Sequence, residues 1–504
     1  MPYNLRKRKV AEPVQAEEVR KRKVTEPAKQ ETRKRKATTE PAAKPAARKR
    51  KTVEPVKDEE EPPKSIVVEP VKHEEEEEKE TEQEQEQEAP PKRVADETVL
   101  KEEKAKKVKF EGNLFMFGVD GCGELGMGKI GITRKNPKPV PIDVPIKQIA
   151  CGPCHTLALT ESGKIYSFGC NDEGALGRVT DGDETLEATP TIIEMAGEVT
   201  KITTGDSHGA ALTKENQVFI WGNFRDEHGS TGLLPECKGE KTFKPIQVMP
   251  EKKFQDIASG GNHMLLLDTD GIVYSFGVGA QGQLGRLSSE EAAKPLADHR
   301  DLFLTPMVVS MKNVDPSREF ICDAIYAGEH SSFATNTDKK KNRLAGWGLN
   351  NRYQLGYKGQ KGQLIQYYPR RSTFTCSTSM INVACGQHHT LFLTKTGRVY
   401  ACGLNEYGRL GIGEGMKDKK EICPAMHLDN FDSPVTDISA KINTSFAVSS
   451  SGKLYAWGSN DGPHLGVDEE LGDLMVPTEV EKLAANKVIS VETGGTFTAV
   501  IVGY

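Results

Sequence analysis

Beyond residue 113 the chain alternates short apolar runs with glycine-bearing turns. Residues 147–151, 155–160 and 164–168 read as strands, with Glu161-Ser162-Gly163 as the turn between the last two. A fourth short strand is expected near residues 189–195, opened by Pro190. Such a unit is apolar on both faces, so it needs a neighbour on each side. An aromatic residue or its substitute followed by glycine then recurs at Phe117-Gly118, Phe168-Gly169, Trp221-Gly222, Phe276-Gly277, Trp347-Gly348, Cys402-Gly403 and Trp457-Gly458. A spacing of roughly 50 residues marks a propeller or solenoid. The expected fold is therefore all-β, a propeller of seven four-stranded blades whose closure removes exposed sheet edges. The repeats begin in mid-unit at residues 113–118 and end at 488–502 with only the first two strands of a unit. The two ends are expected to complete one blade together.

Around each blade, the turn joining strands one and two shares a face with the loop joining strands three and four. The first set holds residues 152–155, 205–208, 260–263 and 386–389, each opening on Gly and closing on His. The second runs from each aromatic-Gly pair to a Leu-Gly, and Gly to Leu spans seven positions in six units. In the third unit the corresponding span, Gly222 to Thr231, is nine. Residues 224–229 (Phe-Arg-Asp-Glu-His-Gly) should project from an otherwise regular face, as a wedge for a protein partner. A closed ring has little freedom to rearrange, so function is expected on these loops.

Charge divides the rest. Residues 1–51 carry 18 Lys+Arg against 6 Asp+Glu and residues 52–90 carry 4 against 16, so the chain's net −5 conceals two opposed blocks. Few apolar residues at high charge cannot offset chain entropy, which predicts a disordered tail over 1–110 ahead of the propeller at 111–504. The tail is basic over 1–51, acidic over 52–90 and basic again over 91–110, where Lys101, Lys104, Lys106, Lys107 and Lys109 cluster. One tetrad occurs four times, as Arg6, Lys7, Arg8, Lys9, as Arg20, Lys21, Arg22, Lys23, as Arg33, Lys34, Arg35, Lys36 and as Arg48, Lys49, Arg50, Lys51, each soon followed by Glu-Pro. These clusters suit phosphate neutralisation on DNA and equally a nuclear import receptor, and both readings place the protein in the nucleus. The acidic block, including 74–78 and the alternating Glu/Gln of 80–88, reads as a spacer.

Several apparent active-site motifs dissolve in context. Cys151-Gly152-Pro153-Cys154 has thioredoxin spacing but occupies a turn between strands, without the helix that would lower a thiol pKa. Gly121, Gly123 and Gly126 match a dinucleotide fingerprint, yet the same glycines recur as turn residues in other units. The loop histidines read as structural, each ring bonding a neighbouring turn's carbonyl. No zinc spacing or phosphate-binding Gly-Lys-Ser/Thr loop occurs, so no metal, cofactor or bond-making centre is expected. No run of 18 apolar residues exists, and the ten cysteines are too dilute for a disulfide framework; they read as reduced thiols of an intracellular monomer without a membrane span.

The region from residue 114 resembles the regulator of chromosome condensation family, in which a chromatin-bound propeller is the guanine nucleotide exchange factor for the small GTPase Ran. The resemblance rests on residues 167–178 (SFGCNDEGALGR), 204–208 (TGDSH), 224–234 (FRDEHGSTGLL), 282–286 (GQLGR), 386–390 (GQHHT) and 406–415 (EYGRLGIGEG). It implies GDP release and GTP loading without bond chemistry, in nuclear transport, mitosis and spindle assembly. Contact with Ran is implied through Phe224, Arg225, Asp226, Asp206, Asn262, Arg286, His388, His389 and Asp120. Asn262 stands where the family usually carries Asp, Gly121 where an Asp is expected with Asp120 one place earlier, and Phe497 replaces a His. Nucleosome histones and DNA are the further implied partners, the tail contacting DNA. The competing reading is a chromatin-binding adaptor without exchange activity, which the Asn at position 262 favours and the nine-residue third loop opposes.

Overall fold

A computed structural model describes residues 113–314, 320–338, 341–359, 363–372, 374, 379–416 and 418–503. The basic tetrads, the acidic block and the lysine cluster lie outside the described residues. Seven four-stranded antiparallel sheets follow one another around a ring, and a separate two-stranded sheet is added in the third unit. Blade two shows the plan: Ile146–Cys151, His155–Thr160, Ile165–Gly169 and the short outer strand Thr191–Ile193. These match the expected strands to within a few residues. The innermost strands line a central channel of about 480 Å³.

Blade one is built from both ends of the propeller. Lys487–Thr493 and Phe497–Gly503 supply its inner strands, Asn113–Val119 and Thr133–Pro139 its outer ones. The seam is the antiparallel register of Asn113 on Val502 through Gly118 on Phe497. Closure is non-covalent, as the half-units at the two ends require.

The recurring aromatic-Gly and Leu-Gly pairs act on each other across blade boundaries. The buried indole N–H of Trp221 donates to the Ala175 carbonyl at 2.9 Å, that of Trp347 to Gln283 at 2.9 Å and that of Trp457 to Arg409 at 3.0 Å. Each acceptor lies two residues before the glycine of the preceding blade's Leu-Gly. A Cβ on Gly285 would come within 2.5 Å of the Trp347 ring, so that position must stay bare. Gly466 meets Phe117 in the same way, which carries the pattern through the seam. A large ring buried with its polar atom satisfied is what allows identical wedges to close a circle.

Candidate functional site

Both loop sets do lie on one face, and hydrogen bonds lock them together. In each of six turns the opening glycine N–H donates to the carbonyl three residues on, from Gly152 to His155 through Gly494 to Phe497, at 2.8–3.0 Å. In all seven blades the N–H after the aromatic-Gly pair then donates to the residue preceding the histidine slot: Val119 to Thr496, Cys170 to Cys154, Asn223 to Ser207, Val278 to Asn262, Leu349 to His330, Leu404 to His388 and Ser459 to Asn443, at 2.8–3.1 Å. The face is a stiff platform.

In blade three the longer loop folds into a hairpin of Phe224–Asp226 against Gly229–Gly232. Its tip is tied by the Asp226 carboxylate, which accepts from the N–H groups of His228 (2.8 Å) and Gly229 (3.1 Å). Phe224 departs from the expected wedge surface: it is fully buried, with ring contacts to His208 at 4.8 Å and Phe276 at 5.8 Å. It roots the hairpin in the core, and the projecting part is Arg225 through Ser230.

Two neighbouring blades grip that projection. Glu173, on the blade-two loop, accepts from Asn223 Nδ2 (2.8 Å), Ser230 Oγ (3.0 Å) and Arg225 Nη1, with Lys241 Nζ 3.4 Å away. Partial burial works against its ionisation, but donation from Asn223 and Ser230 and the charges of Arg225 and Lys241 hold its pKa below the usual carboxylate range. On the other side Asn262 accepts from the Arg225 N–H at 2.9 Å and donates to Asp206 Oδ2 at 3.0 Å. A carboxylate at position 262 could accept but not donate, and would set two anions side by side. Glu173 escaped the sequence reading because its blade-two loop has ordinary length; only the fold brings it under the hairpin.

Four of the expected contact residues have other work. Asp120 is 2% exposed and accepts from Gly123 and Leu125 N–H within its own loop. Asn171 and Asn350 accept from Leu176 and Leu355 N–H in the same way, which makes position 120 a loop brace. Arg286 donates to the carbonyls of Ser275, Leu302, Phe303 and Thr305, much as Arg178 clamps its own loop in blade two. His389 is buried, and its Nε2 lies 2.8 Å from Ser445 Oγ of the next blade, as His263 Nε2 does from Ser332 Oγ. The partner of these two rings is a hydroxyl rather than the expected carbonyl. Phe224 is the fourth. Asp206, Arg225, Asp226, Asn262 and His388 retain exposure on the platform, and Arg286 keeps part of its own.

The apparent chemistry motifs end here. Burial pushes the Cys151 thiol upward and that of Cys154 up to about 12, the reverse of a redox pair. The glycines after Asp120 lie in bends and turns with no helix behind them before residue 133. Among the described residues no group of three or more His, Cys, Asp or Glu could hold a metal ion.

The buried ionisable groups give the ring a stability optimum. Burial above all holds the His155 pKa down to about 4 and that of His263 to about 3, and drives His208 and His389 well below 6.5. Below pH 6.5 the unfolded chain binds protons that these four rings refuse, so acid destabilises the ring. Burial and a neighbouring aspartate raise Glu124 (beside Asp120) and Glu492 (beside Asp437) from 4.5 to about 8. Above pH 4.5 the unfolded chain has shed those two protons, so rising pH also destabilises until about 8. Between 4.5 and 6.5 the four histidines outweigh the two glutamates, so stability rises with pH across that window. The expected thermal unfolding midpoint therefore peaks near pH 6.5; scanning calorimetry from pH 5 to 8 showing a flat profile would refute this account.

A closed seven-bladed ring whose loop face bears one clamped hairpin defines the class as a β-propeller with a raised feature on one face. Residues 113–500 match the family model described as "RCC1-like domain". The chain belongs to the regulator of chromosome condensation family. It is 37% identical to the Xenopus laevis Regulator of chromosome condensation, over 78% of this chain and 90% of that one, and 35% identical to the Homo sapiens protein, over 79% and 94%. It is 29% identical to the Guanine nucleotide exchange factor SRM1 of Saccharomyces cerevisiae, over 76% and 86%. Among solved structures it is similar to Prp20p from Saccharomyces cerevisiae, described with its binding to Gsp1p and histones (TM-score 0.68, 28% identity, 78% of this chain and 92% of that one). It is also similar to yeast RCC1 (Prp20) bound to Kap60, with a TM-score of 0.69 and 28% identity over 78% and 89%.

Proposed function

We propose that this protein is a guanine nucleotide exchange factor for the small GTPase Ran, acting on chromatin. The observation that carries the reading is the blade-three hairpin, rooted by Phe224, held between Glu173 and Asn262, and formed by a Gly222-to-Thr231 span two residues longer than the Gly-to-Leu span of the other six blades. A GTPase holds its nucleotide with a phosphate-cradling loop and Mg²⁺. A rigid partner that binds the empty form better than the loaded one shifts the equilibrium by that difference in affinity, with no bond made or broken. The hairpin displaces the cradle, Asp226 and Asp206 meet basic groups freed from phosphate, and incoming nucleotide reverses the exchange. The named exchange-factor relative and the Gsp1p- and histone-binding relative support this assignment. The relative bound to Kap60 supports an import receptor as the partner of the basic tail, with DNA phosphate as its ligand on chromatin.

The test is release of a fluorescent GDP analogue from Ran with and without residues 110–504. Acceleration well above the intrinsic rate is expected; none would leave a chromatin adaptor as the reading. D226A and H388A are expected to slow release at least about tenfold, the cost of one charge-assisted contact at roughly 1.4 kcal/mol or more. Full rates in both variants would remove these residues from the site. His389 is unsuitable for this test, because its loss would empty a packed slot.

A further inference from the structure

The repeats are internal controls for one another: three share a side-chain brace in one loop, blades two and seven replace it with Ala175 and His464, and blade six inverts it. Six residues after the glycine of the aromatic-Gly pair, blades one, four and five carry Glu124, Gln283 and Gln354. Each turns a side-chain oxygen back to the N–H two residues earlier: Glu124 to Cys122 (2.7 Å), Gln283 to Gln281 (2.9 Å) and Gln354 to Arg352 (2.9 Å). In blade six this position is Arg409, a donor where the loop needs an acceptor. The residue it should cap, Tyr407, takes a left-handed φ of 60°, which Cys122, Gln281 and Arg352 do not.

Arg409 is only 2% exposed, beneath a half-exposed Tyr407 whose ring centre is 5.4 Å from the guanidinium. Its Nε donates to the Glu406 carbonyl at 2.8 Å, while Nη1 is enclosed and has no hydrogen-bond partner among the described residues. His388 Nδ1 is in the same condition. Arg352, itself paired with Glu421 at 2.8 Å, stands beside them, and the balancing charge on Arg409 is that of Glu406. A buried cation with an idle donor is costly, and a glutamine would relieve it. Local rules broken at a cost are expected at sites of function.

We infer that the blade-six cluster of Arg409 and His388, beneath Tyr407, is an anion subsite that takes one carboxylate from an acidic side chain of the protein docking on this face. The inference rests on the exchange reading for the identity of that protein, not for the existence of the subsite. Glu406, Glu414 and Glu421 around the same loop disfavour a polyanion such as nucleic acid, and a single carboxylate fits the one idle guanidinium donor of Arg409. The subsite lies across the platform from the acidic hairpin flank of Asp206, Asp226 and Glu173, so the face would read a partner by opposite charges at two points.

The substitution R409Q copies blades four and five, and is expected to fold. It should raise the thermal midpoint while raising KM for Ran at least about tenfold, the loss appearing in KM rather than kcat. R409K should keep most of the affinity. Acetate replacing chloride at constant ionic strength should protect the wild type against heat and leave R409Q unmoved. R409Q with wild-type KM, or an acetate response equal in both proteins, would overturn the subsite. Should the wild type fail to accelerate exchange at all, the acetate comparison still decides the subsite by itself.

Discussion

Removal of residues 497–504 should leave no folded propeller. The last strand lies inside blade one, between Lys487–Thr493 and Asn113–Val119, so its loss opens two sheet edges at once. Phe497, Val500, Ile501 and Val502 are buried from it. At about 2 kcal/mol for each such side chain the lost burial is roughly 8 kcal/mol, comparable to the whole stability of a typical domain. Because every blade covers its neighbours, damage at the seam cannot be confined there. The expected result is aggregation on expression, or a far-ultraviolet spectrum without β content. A truncated protein that unfolds cooperatively within a few degrees of the full one would show the seam to be dispensable. A disulfide across the seam in the intact protein should act oppositely and slow unfolding.

The second large effect is local. Replacing residues 225–230 with a short turn like that of blade two should abolish exchange activity, at least about a hundredfold in kcat/KM, with little change in stability. The excised residues are mostly exposed, and Phe224 stays in the core. E173A is the finer version. It leaves every exposed hairpin residue in place but removes the acceptor shared by Asn223, Arg225 and Ser230. Activity should fall by about tenfold, because binding then has to order the hairpin that Glu173 now holds. Hydrogen exchange at residues 225–230 should accelerate in the same variant, and glutamine at 173 should restore part of both. Normal exchange kinetics from the hairpin deletion would mean that the projection is not the working part of the face.

How much of this was legible beforehand follows from what repeats and what does not. Strand positions in blade two, the shared end blade and the common loop face are all consequences of a spacing written seven times, and the nine-residue span at Gly222 exposed the hairpin by contrast with six others. The residues with other work are those whose type suits a contact but which the fold engages internally. Phe224 and His389 are buried, Asp120 braces its loop, and Arg286 clamps four carbonyls. Linear spacing carries no record of depth, which depends on the neighbouring blade.

Periodicity alone determined the ring, its closure and the face on which function sits, because an apolar four-strand unit repeated seven times has no other way to cover both its sides. Charge order along the chain set the tail apart from the ring. Tertiary structure alone decided which side chains the face offers, for Glu173 and Asn262 act across distances of tens of residues in sequence. Their partners are selected by how adjacent blades abut, and that packing is a property of the closed circle rather than of any single repeat.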